Sequence, residues 1–305
     1  MDAPSASISH MTDTLRIIAT LPADQAQTLP GRFYTDPDYF QYEVETFLSR
    51  EWHCLGRVDE IPNPGDYFTA RLFAEALLVV RGDDGQVRVL SNVCRHRGML
   101  LAEGSGSTRR FVCSYHAWSY DRSGQLSAAP RMQEKGVGAK TCRLPEFRCE
   151  VWNGFIYANL DDGAIPLAPR LEALNQVLAP YRTQGMRYVQ SFEEEWQTNW
   201  KCLVENFMES YHLSVVHPKT LHPYTPTGLS RKALSGEAFT SYCANYPDTA
   251  ATRGLGADTL RVEERRRSLL RLPAKPQRCW CPLESSRLPL TAFGCVGPCP
   301  PMAMN

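Results

Sequence analysis

Residues 94–116, CRHRGMLLAEGSGSTRRFVCSYH, carry two short ligand pairs: Cys94 with His96, then Cys113 with His116. Sixteen residues lie between the pairs. Four such side chains from two loops could hold one tetrahedral zinc ion. Structural zinc sites, however, mostly use cysteine alone or pair like with like, whereas each loop here supplies one thiol and one imidazole. Neighbouring ligands this close can also address two different metal atoms. Cys94 and Cys113 then share one iron, and His96 and His116 the other, of a 2Fe–2S cluster. Imidazoles in place of two thiolates leave such a cluster less negative, with a reduction potential of roughly −150 to +300 mV. Gly98 and the GSGS at 104–107 permit tight turns. Arg95, Arg97, Arg109 and Arg110 either favour a reduced cluster by their charge or form a solvated basic face.

Around these ligands, the 305 residues are ordinary globular material, 43% hydrophobic and 22% charged. Lys+Arg and Asp+Glu both number 33, so nothing suggests a nucleic-acid footprint or a polybasic membrane anchor. No run approaches the ~18 apolar residues that span a bilayer. The N-terminal MDAPSASISHMTDTLRIIATLPADQ is not a signal peptide, which makes the expected location cytoplasmic. In that reducing compartment, eleven cysteines read as metal ligands and free thiols rather than as a disulfide framework.

Residues 1–32 are small and polar and are expected to be a mobile leader. Asp36 caps a helix with Phe40, Val44, Phe47 and Leu48 on one face. Short strands follow in YFTARL, ALLVVRG and DDGQVRVLSNV, with the DDG marking a hairpin, and FIYANLDDG at 155–163 closes the β-rich region. Residues 167–182 read as helical and RYVQSFEEEWQ, 187–197, as a strand. From Leu272 onward, seven prolines and four cysteines in 34 residues leave no periodicity.

A second cluster of polar groups lies in TNWKCLVENFMESYHLSVVHP, residues 198–218. A cap at Thr198 or Asn199 starts a helix whose buried stripe is Trp200, Val204, Phe207 and Tyr211. His212 and His217 are five residues apart, ~500° of helical rotation, too far round to share a face. Pro218 disfavours helical geometry at His217, so the helix is expected to end near Val215 and let His217 fold back toward His212. Two imidazoles with nearby carboxylates suit a divalent transition metal; the alternative is two incidental histidines on a solvated acidic helix.

CRHRG together with CSYHAWSYDRSGQL, flanked by IPNPGDYFT and VWNGFIYANLD, resembles the Rieske domain of the Rieske non-haem iron oxygenases over residues 33–165. Met99 and Ser114 stand where the respiratory Rieske class would carry disulfide cysteines, which favours the oxygenase type. Glu205, Asn206, Phe207, Glu209, His212 and His217 match, in order, that family's iron-site motif. The resemblance implies an α+β chain: an N-terminal β-rich Rieske domain, then an incomplete α+β, helix-grip-like catalytic domain at 166–271. It implies that Cys94, His96, Cys113 and His116 bind the cluster and that His212 and His217 bind a mononuclear Fe(II) with a third, carboxylate ligand. Glu209, with Asn206, is then catalytic machinery; Glu209 matches the acid that links an iron-ligand histidine to a cluster-ligand histidine of the next subunit in a homotrimer. Electrons would start on NAD(P)H and arrive through a partner reductase, in some members with a ferredoxin. With O2, they would hydroxylate or demethylate a small organic substrate, aromatic or quaternary ammonium. Glutamate at 209, where many members have aspartate, tilts the substrate class toward quaternary ammonium compounds such as carnitine.

The family's third ligand lies a hundred or more residues past the second histidine. None of Glu237, Asp248, Asp258, Glu263, Glu264 and Glu284 matches its context. The chain is therefore expected to be C-terminally truncated, with 272–305 an aberrant, out-of-frame tail; a divergent natural terminus is the alternative. The rival functions are an inactive chain serving at most as a Rieske electron carrier, and a zinc-stapled binding domain.

Overall fold

The computed structural model describes residues 5–132, 142–189, 191, 196–236 and 238–244. The chain divides into two compact units, the first comprising Met1–Ile165 with Trp196–Asn199 and the second beginning at Pro166. No helix among the described residues is long and apolar enough to cross a membrane.

The first unit opens on helix α1 (Ala6–Ala19), where a mobile leader is expected. Ser5 accepts from the Ile8 amide at 3.3 Å, and Ile8, Met11 and Leu15 form a helical stripe against Phe33 and Tyr39. Local capping and three apolar side chains at spacings of three and four outweigh the polar composition. A single turn, α2 (Arg32–Thr35), leads to α3 (Pro37–Thr46), whose cap is Asp36, accepting from the amides of Asp38 and Tyr39 at 3.0 and 3.1 Å. Phe40, Val44 and Leu48 are buried as expected; Phe47 is 41% exposed because the helix ends before it.

Seven antiparallel strands form the main sheet in the order β1-β10-β9-β4-β3-β2-β5. They are β1 (His53–Arg57), β2 (Asp66–Leu72), β3 (Glu75–Arg81), β4 (Val87–Ser91), β5 (Ser105–Ser107), β9 (Glu146–Trp152) and β10 (Phe155–Asn159). A smaller sheet joins β6 (Phe111–Val112), β7 (Ser119–Tyr120) and β8 (Leu126–Ala128). The DDG turn connects β3 to β4, with Gly85 at φ +77° and Asp84 accepting from the Gln86 amide and both terminal nitrogens of Arg88. Leu77, Leu78, Val79 and Val80 are all fully buried, so β3 is covered on both faces. Leu78, Val80 and Leu90 from the main sheet pack with Phe111, Trp118, Tyr120 and Leu126 from the smaller one, and Cys94 and Cys113 belong to the same core. The two ligand loops thus spring from the packed layer between sheets.

In the second unit, the expected helix over 167–182 is two pieces, α4 (Leu167–Arg170) and α5 (Glu172–Leu178), followed by 3-10 turns that begin around Pro180. Residues 187–189 form no strand, and most of the stretch expected to follow lies outside the described residues. Helix α6 (Trp200–Phe207) and the short α7 (Leu213–Val216) come next, then the hairpin β11 (Ser230–Ser235) and β12 (Thr240–Ala244). The helix expected to run to Val215 stops at Phe207. Its predicted stripe also fails, since Val204 is exposed and Tyr211 is 84% exposed, while Lys201, Leu203 and Leu213 are buried. The tail from Leu272 and the six acids after His217 lie outside the described residues.

Candidate metal centres

The first centre rests on two loops with matching backbones. The Cys94 amide donates to the Met99 carbonyl and the Cys113 amide to that of Trp118, each at 2.8 Å. In return the Gly98 amide donates to Cys94 O at 3.0 Å and the Ala117 amide to Cys113 O at 2.9 Å. Each loop turns through a left-handed residue four positions after its cysteine, Gly98 at φ +74° and Ala117 at φ +58°. Glycine adopts that conformation freely, whereas alanine is strained by roughly 1–2 kcal/mol there.

Both thiols are buried, while His96 is half-buried and His116 exposed. The two imidazole centroids lie 4.6 Å apart at 71°. Trp118 stacks on His96 at 4.8 Å and 7°, and Tyr115 leans on His116 at 3.9 Å. Burial, then the neighbouring His116 and Arg97, lower the pKa of His96. Each cause favours the neutral imidazole, the form that ligates a metal. Arg95, Arg97, Arg109 and Arg110 are all exposed. Two buried thiols at the root of the loops and two imidazoles toward the tips fit a 2Fe–2S cluster with cysteine on one iron and histidine on the other.

Sequence reasoning missed Tyr120, whose hydroxyl lies 3.5 Å from Cys94 Sγ and accepts from the Arg95 amide at 3.1 Å. With that amide feeding the oxygen, the hydroxyl proton is free to point at the sulfur. Burial foremost, with Cys94 beside it, raises the Tyr120 pKa far above the ordinary phenol value, so the proton stays on it. Alternation from Trp118 to Tyr120 was the available signal, since residues two apart share a strand face.

The second centre forms where α6 breaks. Glu209 turns its carboxylate back on the chain, accepting from the amides of Tyr211 and His212, the latter at 3.3 Å, and pairing with His212 Nδ1. A side chain that satisfies the next amides competes with continued helix, which is why periodicity alone overran the end. His212 caps α7 and His217 ends it at φ −122°, ψ 44°. Their rings stand 5.5 Å apart at 70°, so the expected fold-back of His217 occurs, by way of α7. Burial alone would raise Glu209, but the bonds from the His212 ring and the two amides outweigh it and hold the carboxyl below its usual range. A carboxylate facing Nδ1 needs a proton there, which leaves His212 Nε2 as the lone-pair donor.

Two imidazoles with one tautomer fixed fit a divalent metal as a partial ligand set. Among the described residues, no three His, Cys, Asp or Glu side chains gather closely enough to hold one ion. Asn206 is exposed on the last turn of α6 and makes no side-chain hydrogen bond among the described residues. His222, which sequence reasoning passed over, has an Nδ1 that is buried and unpartnered.

Comparison with known proteins matches residues 51–148 to the Rieske 2Fe-2S domain and residues 183–282 to the ring hydroxylating alpha subunit catalytic domain. The carnitine monooxygenase oxygenase subunit of Escherichia coli K12 is 33% identical over 198 residues, covering 64% of this chain and 53% of that one. The benzene 1,2-dioxygenase alpha subunit of Pseudomonas putida is 37% identical over 205 residues, covering 64% and 45%. Among solved structures, a quaternary ammonium Rieske monooxygenase bound to an inhibitor superimposes with a TM-score of 0.67 at 28% identity, over 73% of this chain and 63% of that one. The chain spans about half the length of the curated relatives it matches. Joining both characteristic domains in the family's order, the chain belongs to the Rieske-type oxygenases, as an alpha-subunit sequence.

Proposed function

We propose that this chain acts as the oxygenase subunit of a Rieske system that hydroxylates or demethylates a small quaternary ammonium compound. The observation that carries the reading is the Glu209–His212–His217 constellation, following in sequence the paired Cys/His loops. The substrate class is supported by relatives named carnitine and glycine betaine monooxygenases, although the aromatic benzene dioxygenase is comparably similar. When bound, a 2Fe–2S cluster and a mononuclear iron supply one-electron transfer and O2 activation.

The chain's own residues set the stage for that chemistry. Cys94, Cys113, His96 and His116 would hold the cluster, while Tyr120 directs a proton at the Cys94 sulfur. Glu209 keeps the proton of His212 on Nδ1, which leaves Nε2 as the nitrogen that would ligate an iron. In an oligomer, Glu209 would also reach a cluster histidine of a second copy. One solved relative, 27% identical with a TM-score of 0.63, is described as revealing inter-subunit electron transfer. Electrons would come from NAD(P)H through a partner reductase. A second reading, a Rieske electron carrier without oxygenase activity, is favoured by the gathering of only two iron-type ligands among the described residues.

The test is O2 consumption by the iron-loaded chain with an NADH-dependent reductase and a panel of carnitine, glycine betaine, choline and benzene. Uptake that depends on one of the quaternary amines, with formaldehyde or hydroxylated product in proportion, supports the oxygenase. A reducible cluster with no substrate-dependent uptake leaves the electron carrier.

A further inference from the structure

We infer that Trp118 is a positioning residue of the first centre: its indole fixes the ring plane of His96 and, through His96, the pair of imidazoles presented to one iron. This rests on the cluster reading above. The torsion that sets the plane of an imidazole, χ2, is broad and soft, so a histidine ligand needs a restraint from outside its own side chain. In most metal sites that restraint is a hydrogen bond from the second ring nitrogen to an oxygen acceptor. Among the described residues, neither the His96 ring nor the His116 ring makes such a bond.

What the fold supplies instead is an aromatic face. The indole of Trp118 lies 4.8 Å from the His96 ring centroid with only 7° between the planes, and His96 in turn meets His116 edge to face, at 4.6 Å and 71°. Stacked and T-shaped pairs at roughly 4.5–7 Å are the arrangements that flat rings favour. Trp118 is itself firmly held. It is 5% exposed, it packs in one core with Cys94, Cys113, Tyr120 and Leu126, and its carbonyl accepts from the Cys113 amide at 2.8 Å. The stack also crosses between the loops, since His96 belongs to the first and Trp118 to the second. The second loop thereby sets the orientation of a ligand carried by the first. His116 is held more loosely: Tyr115 leans on it at 3.9 Å and 36° but is itself 56% exposed. Order in the imidazole pair therefore comes from the buried indole.

The test uses the full chain, loaded anaerobically with its cluster and reduced with dithionite. The wild type is compared with W118F and W118M; methionine fills core volume adaptably but offers no flat face. Pulsed EPR reads the couplings of the two ligating imidazole nitrogens, and a chelator reads how fast iron is lost. In W118F both couplings should stay as in the wild type. In W118M one of the two should change and spread, and iron should leave ~10–100-fold faster, the scale on which losing the outer partner of a ligand weakens a metal site. Wild-type couplings in W118M would overturn the inference whatever the rate of iron loss, because filling the core would then suffice. W118F altered as completely as W118M, loss of the cluster included, would overturn it as well, because a flat ring would not be what matters. A wild-type chain whose reduced cluster shows no imidazole nitrogen couplings would sink the cluster reading along with this inference, whereas failure of the inference alone leaves the wild-type couplings in place.

Discussion

Tyr120 shows how one hydroxyl can act on a cluster it does not ligate. Reduction adds negative charge to the sulfurs, so an O–H aimed at Cys94 stabilises the reduced state and raises the potential. Replacing Tyr120 by Phe should lower the cluster potential by on the order of 50 mV, as a charge-assisted hydrogen bond near 1.5 kcal/mol and 59 mV per tenfold imply. Redox titration by EPR would measure it, and an unchanged potential would remove Tyr120 from this role. At the second centre, the depressed Glu209 carboxyl carries a pH dependence of known sign. Its folded pKa lies below the unfolded value, so the stabilisation it gives is present above the unfolded pKa and disappears as pH falls through the folded one. Glu209→Gln should therefore flatten the acid limb of stability below about pH 4.5. It should also weaken Co(II) binding by ~10–100-fold, because His212 loses its tautomer lock. Neither the Tyr120 contact nor the buried Nδ1 of His222 was legible beforehand, since each depends on what the fold places across from the residue.

Among the elements, the ligand loops were legible and the helices only in part. The Cys/His spacing identified both loops because metal chemistry restricts which residues can stand there. The break of α6 was hidden because Glu209 acts through its side chain on following amides, an interaction invisible to hydrophobic periodicity. Likewise the polar composition of the N-terminus points to a mobile leader and hides α1, since Ile8 and Met11 matter only once Phe33 and Tyr39 are there to receive them. The loops make a paired prediction about backbone strain. Ala117→Gly should stabilise the cluster unit by about 0.5–1 kcal/mol in urea unfolding, and Gly98→Ala should destabilise it by a similar amount. A Cβ at Gly98 would meet nothing within 4 Å, so that change isolates the backbone contribution. Equal midpoints for all three proteins would contradict the strain argument.

At the scale of the whole molecule, the two units differ in how much core the described residues give them. The first buries an extensive apolar core across its two sheets, whereas in the second only Leu167, Leu171, Leu203 and Leu213 are buried hydrophobics, and Val189, Tyr211, Val215 and Val216 are strongly exposed. Regions with few buried apolar contacts open most easily. Limited proteolysis of the cluster-loaded chain should therefore cut first beyond Ile165, leaving a fragment that keeps the Rieske EPR signal. Early cleavage within β3 or β4 would contradict this. The match of both domain types was foreseeable from motifs, whereas among the described residues no third ligand-type side chain gathers with His212 and His217.

The twin loops, each closed by its own pair of amide-to-carbonyl hydrogen bonds, also bear on how firmly the two cysteines are held in place. Their positions are tied by backbone bonds at Cys94–Met99 and Cys113–Trp118, independent of any side-chain contact. The amides of Cys94, Gly98, Cys113 and Ala117 should therefore exchange with deuterium far more slowly than those of the exposed residues between them, and equal rates throughout each loop would contradict this.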